Sequence, residues 1–150
     1  MHANRELMTG LRAHAKNLRQ LSFPPATDAQ LLQTESELSF PIPGFLRECY
    51  SSIANGGFGW DWGIIGVEGG QQCDTGTLAP TYRSFQIAAQ KMKRNWPYGL
   101  LPIQDCGCAL WICVSIEESV FLCDEMRLED LDLTVQDMFE LWIDGEDILD

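Results

Sequence analysis

With 150 residues, 45% of them hydrophobic, the chain is sized for one domain that closes its own core without disulfides or metals. The net charge of −12 sits entirely at one end: residues 1–116 carry nine Lys/Arg against nine Asp/Glu, and residues 117–150 carry 13 Asp/Glu against Arg127 alone. Such a surface repels phosphate backbones, which argues against direct nucleic-acid binding, and it steers a basic protein partner toward itself. The plainer reading is that these carboxylates keep a small protein soluble. No apolar run approaches a membrane span, and the opening Met-His-Ala-Asn-Arg-Glu-Leu lacks the pattern of a secretory leader. The expected location is the cytoplasm, with no membrane association and with all six cysteines (49, 73, 106, 108, 113, 123) as thiols.

Leu7, Leu11, Ala15 and Leu18 recur at helical spacing and predict an amphipathic helix over 4–21, stopped by Phe23-Pro24-Pro25. Thr27 and Gln30 form a capping-box pattern that opens a second helix running to Leu38. After Pro41 and Pro43 a third helix is predicted over 44–54, closed by Asn55-Gly56-Gly57, residue types that tolerate the left-handed backbone. Residues 58–62 and 64–67 are expected as short strands joined through Gly63, and 68–80 as a loop. A helix over 81–95 follows, with Tyr82, Phe85, Ala89, Met92 and Trp96 toward one side. Three strands are expected over 100–103, 109–116 and 119–123, with short connections that imply antiparallel pairing. Thr134 and Asp137 open a closing helix that Gly145 ends. Helices first, strands in the middle and one closing helix make an α+β domain over 1–150, its mostly antiparallel or mixed sheet packed by several helices.

Little in this sequence suggests catalysis. The only histidines are His2, at the terminus, and His14, within a helix and best read as a surface or boundary residue. No nucleophile elbow, P-loop or HExxH is present. Gly56-Gly57-Phe58-Gly59 follows a helix and precedes an extended segment, the reverse of a phosphate-binding loop. Cys106, Cys108, Cys113 and Cys123 offer four thiols, but zinc pairs are usually spaced by two to four residues, and Cys108 and Cys113 fall on opposite faces of a regular strand. Buried thiols are therefore expected, with no metal and no cofactor. Trp60-Asp61-Trp62, read as a strand, puts both indoles on one face. Core packing is the first explanation for them and a pair of binding anchors the second.

Four blocks in order resemble the SUKH superfamily, which joins bacterial immunity proteins to a fungal regulator of cell-wall assembly. The first is Glu35 and Leu38 followed by Pro43 and Phe45-Leu46-Arg47, one residue tighter after the proline than the family pattern. The second is Asn55-Gly56-Gly57. The third is Leu101-Pro102-Ile103 with Asp105, Gly107 and the strand from Ala109 to Val114. The last is the helix from Thr134 to Trp142 with Gly145. Together they span residues 28–146. Cys106 and Cys108 are unusual beside the Gly107 turn, and Trp60-Asp61-Trp62 is not a family requirement.

The resemblance implies an α+β fold, no enzymatic activity, and action by binding another protein. Bacterial members neutralise toxins, often nucleases, inside the producing cell, so the expected partner is a toxin domain with a basic cleft. The expected contacts are Trp60, Asp61, Trp62, Asp124, Glu125, Glu129 and Asp130, with Asn55, Gly56 and Gly57 shaping a turn. The alternative is a regulatory or scaffolding module for an endogenous partner, as in the fungal relatives. Those carry long disordered flanks, and the sequence expectation is the bacterial type.

Overall fold

The structure, a computed structural model, describes residues 2–17 and 23–149. Three helices come first: α1 (His2–Ala15), α2 (Asp28–Leu38) and α3 (Gly44–Ser52). The predicted extension of the first helix to 21, with Leu18 and Arg19, lies outside the described residues. A long loop leads to α4 (Leu78–Lys91). Then come β1 (Leu101–Asp105), β2 (Leu110–Val114), β3 (Ser119–Asp124) and β4 (Arg127–Thr134), and α5 (Val135–Ile143) closes the fold. The strands form one antiparallel sheet in the order β1-β2-β3-β4, each pairing with its neighbour in sequence. β2 lies inside the sheet, and Ile112, Cys113 and Val114 are buried on both of its faces.

The capping boxes form as expected. Thr27 accepts from the Gln30 amide while Gln30 Oε1 accepts from the Thr27 amide, and Thr134 and Asp137 do the same for α5. α3 has no such start, because Pro43 precedes it and supplies no side-chain cap. Its first amides are instead taken by the Glu118 carboxylate in the β2–β3 turn, which accepts from Phe45 N at 3.1 Å and Leu46 N at 3.3 Å. Two residues of the family pattern meet nearby. Glu35 accepts from Ile42 N at 2.8 Å and pairs with Arg47 at 3.2 Å, which fixes the Pro41–Pro43 crossing between α2 and α3.

Three expectations fail. Residues 58–62 and 64–67 are not strands. Gly59, Asp61 and Gly63 adopt φ of 110°, 51° and 84°, and a residue every second position in the left-handed region bends the chain into a tight loop. That loop is pinned by Gly57 N to Ile64 O and Ile64 N to Phe58 O. Gly63 lies against the Gly57 backbone so closely that a Cβ has no room. The fourth helix starts at Leu78, earlier than predicted, because Pro80 falls in the first turn, where its missing N–H is harmless. It ends at Lys91, so Trp96 lies past it and folds back, packing tilted against Phe85 with ring centres 5.0 Å apart and donating to Leu100 O at 2.8 Å. Finally β4, unpredicted, is an edge strand that carries Glu129, Asp130 and Asp132 of the acidic tail.

The core is continuous. Phe58 packs with Phe139 and Trp142 of α5, and Tyr50 of α3 lies against Phe58 and donates to Ile65 O at 2.7 Å. Phe85 of α4 meets Trp111 of β2 edge-on. The other edge of the sheet is covered, since Ile65 N donates to Ile103 O of β1.

Candidate binding site

Buried Asn55 organises the loop between α3 and α4. Its Oδ1 accepts from Val67 N at 2.8 Å, its Nδ2 donates to Glu68 O at 3.1 Å, and its carbonyl accepts from Gln71 N at 3.0 Å. Gly66 and Gly70 lie against it with no space for a Cβ. Asn55, Gly56 and Gly57 are all buried, consistent with a turn-shaping part.

This loop, the 61–63 turn and the β1–β2 turn enclose an open cleft of about 640 Å³. Asp61, Trp62, Asp74, Asp105 and Cys106 line it, and among the described residues none that lines it is Lys, Arg or His. Trp62 is the most exposed large apolar side chain among the described residues, at 79%. Trp60 does not share its face. It is half-buried, and its indole N–H donates to Glu146 O at 2.8 Å, which holds the C-terminal segment against the turn. Gln104 ties the walls together by donating to Trp60 O at 2.6 Å, and its buried Oε1 has no partner among the described residues.

Asp105 accepts from Gly107 N at 2.9 Å and so shapes the β1–β2 turn. Cys106 is half-buried there, and its thiol is pushed up to about 11 by burial and by the nearby carboxylates of Asp61, Asp105 and Asp147. Asp147, in the acidic C-terminal segment, is thus near enough to act on Cys106.

The remaining predicted contacts lie on the β3–β4 hairpin. Asp124 ends β3, and Glu125 and Met126 form its two-residue turn at φ of 49° and 69°. Glu125 N donates to Ala109 O at 3.2 Å, which sets the hairpin tip beside the β1–β2 turn and places Asp124 and Glu125 at the cleft end of the sheet. Glu129 and Asp130 pair with Leu122 and Phe121, four and five residues farther along β4 from the turn residue Glu125. At the strand rise that is roughly 13–17 Å from the tip. All four are exposed. The seven predicted residues therefore fall into a cleft group, a hairpin-tip group and an edge-strand group.

Sequence reading did not single out Asp74 or Asp147, and it gave Asp105 only to the turn before Gly107 and to the family pattern. Asp74 reaches the cleft on the loop that Asn55 anchors.

The cysteines divide. Cys49, Cys113 and Cys123 are buried as expected, and burial raises the first two thiols. Cys123 is lowered, mainly because Cys113 donates a hydrogen bond to it. Cys108 departs from the expectation and is exposed at a turn with φ of 53°. Among the described residues no group of three or more His, Cys, Asp or Glu is arranged to hold a metal ion. His14 packs edge-on against Trp142 at 4.6 Å, while the expectation for His2 concerns a side chain outside the described residues.

Residues 25–145 match the SMI1 / KNR4 family (SUKH-1). The chain belongs to this family. The match covers α2 through α5, including the Glu35–Arg47 pair, the Asn55 turn and the whole sheet. No curated protein matches the chain. No helix among the described residues is long and apolar enough to cross a membrane.

Proposed function

We propose that this SUKH-1 domain is a non-enzymatic, cytoplasmic immunity protein that neutralises a toxin by direct binding through an acidic surface. The observation that carries this reading is the exposed β3–β4 hairpin. Asp124, Glu125, Glu129 and Asp130 stand there with Arg127 as the only cation of the acidic segment. An edge hairpin with that charge attracts a basic enzyme cleft, accelerates encounter and repels nucleic acid. Family membership supports action by binding, and the packing of His14 against Trp142 leaves it better explained as structure than as a base.

The test is co-expression. The C-terminal domain encoded by the neighbouring reading frame is produced in a sensitive cell with and without this protein, and growth is scored. Rescue with co-purification supports immunity. A harmless or unrescued neighbour overturns it and favours the regulatory or scaffolding role. Reversing the charge of Asp124, Glu125, Glu129 and Asp130 together is expected to slow association and flatten its salt dependence. Unchanged binding would remove the electrostatic part of the proposal.

A further inference from the structure

β4 is an open edge of the sheet. The opposite edge is met by Ile65 N, which donates to Ile103 O of β1, while no described strand lies beyond β4. At the start of β4 lies a cavity of about 340 Å³ whose apolar lining is Ala89, Trp96, Pro97, Met126 and Leu128. We propose that β4 receives an extended, basic segment of the partner protein as an added antiparallel strand, with an apolar side chain of that segment seated in this cavity. This rests on the protein-binding reading and gives the mode of contact within it.

In a two-residue hairpin the closing pair, here Asp124 and Arg127, is hydrogen-bonded, and so is every second pair after it. Ser115 N donates to Ser119 O, which fixes the same phase from the β2 side. Arg127 and Glu129 therefore turn their backbone groups toward β3, and Leu128 and Asp130 turn theirs outward. Each of these two presents one N–H and one C=O, and among the described residues no backbone group outside the sheet pairs with them. Such a row is a template for an incoming strand, and a pocket beside it selects a side chain. Leu128 is 38% exposed and lines the cavity, so the residue opposite it in an added strand brings its side chain to that cavity. Charge sets the rest of the segment. Glu129, Asp130 and Asp132 are exposed along the edge, and Asp130 Oδ1 accepts from Asp132 N at 2.8 Å, which holds that carboxylate in place. A second copy of this chain would set its own acids against these, whereas lysines or arginines complement them. Arg94 and Arg127 also line the cavity, so a cationic side chain is disfavoured at that end and the basic residues belong along 129–132. Leu131 and Asp132, out of register with β3, end the regular edge and limit the pairing to a short segment.

The experiment titrates the full chain, isotopically labelled, with the blocked peptide acetyl-Lys-Thr-Lys-Lys-Leu-Thr-amide. In the antiparallel register its leucine falls opposite Leu128 and the two lysines before it fall opposite Glu129 and Asp130. The amide signals of Leu128 and Asp130 are expected to shift saturably, and their hydrogen exchange is expected to slow. The same peptide N-methylated at the leucine and at the lysine two before it keeps its charge but cannot donate to the edge. It is expected to bind at least about tenfold more weakly. Alanine or glutamate in place of the leucine is expected to weaken binding about fivefold or more. Equal binding of the N-methylated peptide, or a glutamate peptide as tight as the leucine one, would overturn the assignment. So would the absence of shifts at Leu128 and Asp130, shifts centred away from β4, or a dimer of the free chain paired through β4.

Pairing of the peptide on β4 with no rescue of growth in the co-expression test removes immunity and keeps the strand site. Rescue of growth with no peptide pairing removes the strand site and keeps immunity.

Discussion

Glu118 and Phe45 are 73 residues apart, and the Glu118 carboxylate accepts the Phe45 amide at 3.1 Å. With the bond to Leu46 N, this side chain supplies the helix cap that Pro43 cannot give to α3. Replacing Glu118 with alanine is expected to cost about 1–2 kcal/mol, the range for a lost cap plus a lost charge at a helix start. E118Q keeps an acceptor and is expected to lose about half as much. Urea denaturation of the two variants checks the ordering, and an E118A midpoint equal to wild type would deny the cap any energetic part.

The Asn55 turn is a steric prediction. A Cβ on Gly70 would overlap the Asn55 side chain and carbonyl, and no left-handed backbone at Gly70 complicates the reading. Gly70→Ala is expected to destabilise the fold by about 3 kcal/mol, in the range of core overpacking and broken buried bonds. Asn55→Ala opens space but orphans Val67 N and Glu68 O, at about 2–3 kcal/mol. If G70A melts like wild type, the loop moves more freely than this packing allows.

Glu125 opens the β3–β4 turn at φ 49°, where asparagine is better suited. E125N is expected to add about 0.5 kcal/mol of stability, read as a rise of roughly 1–2 °C in Tm. It also deletes one carboxylate of the proposed binding surface, so a variant more stable yet slower to bind its partner would separate the two demands on this residue.

Thiol labelling probes the cleft. Cys108 is exposed, whereas Cys106 is half-buried with its thiol raised to about 11. Neutral iodoacetamide at pH 8 is expected to modify Cys108 well before Cys106, whose labelling accelerates only as pH approaches 11. The sign for stability follows. The folded state holds the Cys106 proton more tightly than the unfolded chain, so its contribution is complete below the ordinary thiol value of 9.0 and is lost as pH rises from there to about 11. Mass spectrometry of peptides over a pH series checks the order. Faster modification of Cys106 than of Cys108 at pH 8 would contradict the field assigned to the cleft.

Most of the fold was legible. Both capping boxes, the Asn55-Gly56-Gly57 turn and three of four strands follow from local chemistry visible in the sequence. β4 was hidden by its own irregularity. Val120 and Phe121, adjacent on β3, pair with Leu133 and Asp130, three apart on β4, so Leu131 and Asp132 fall out of register, and Asp132 takes φ 59°. Leu128, Leu131 and Leu133 therefore show no clean alternation in the sequence, and the acidic residues between them lower strand propensity further. At Trp60 and Trp62 the opposite happened: a clean alternation of aromatics suggested a strand, but Asp61 between two glycines made a turn. The hairpin acids were visible as a charge run. The cleft was not, because its three walls are joined only by contacts between segments far apart in the chain.

The sheet is a plain meander, every strand beside its sequence neighbour. Such strands need only short loops closed to pair, so the segment from β1 through β4 can zip up locally and early. The helices made first have no such independence. α3 waits for Glu118, and Phe58 waits for Phe139 and Trp142, all from the later third of the chain. On a ribosome the first half therefore emerges without its partners, and the domain finishes folding only when its C-terminal segment is released.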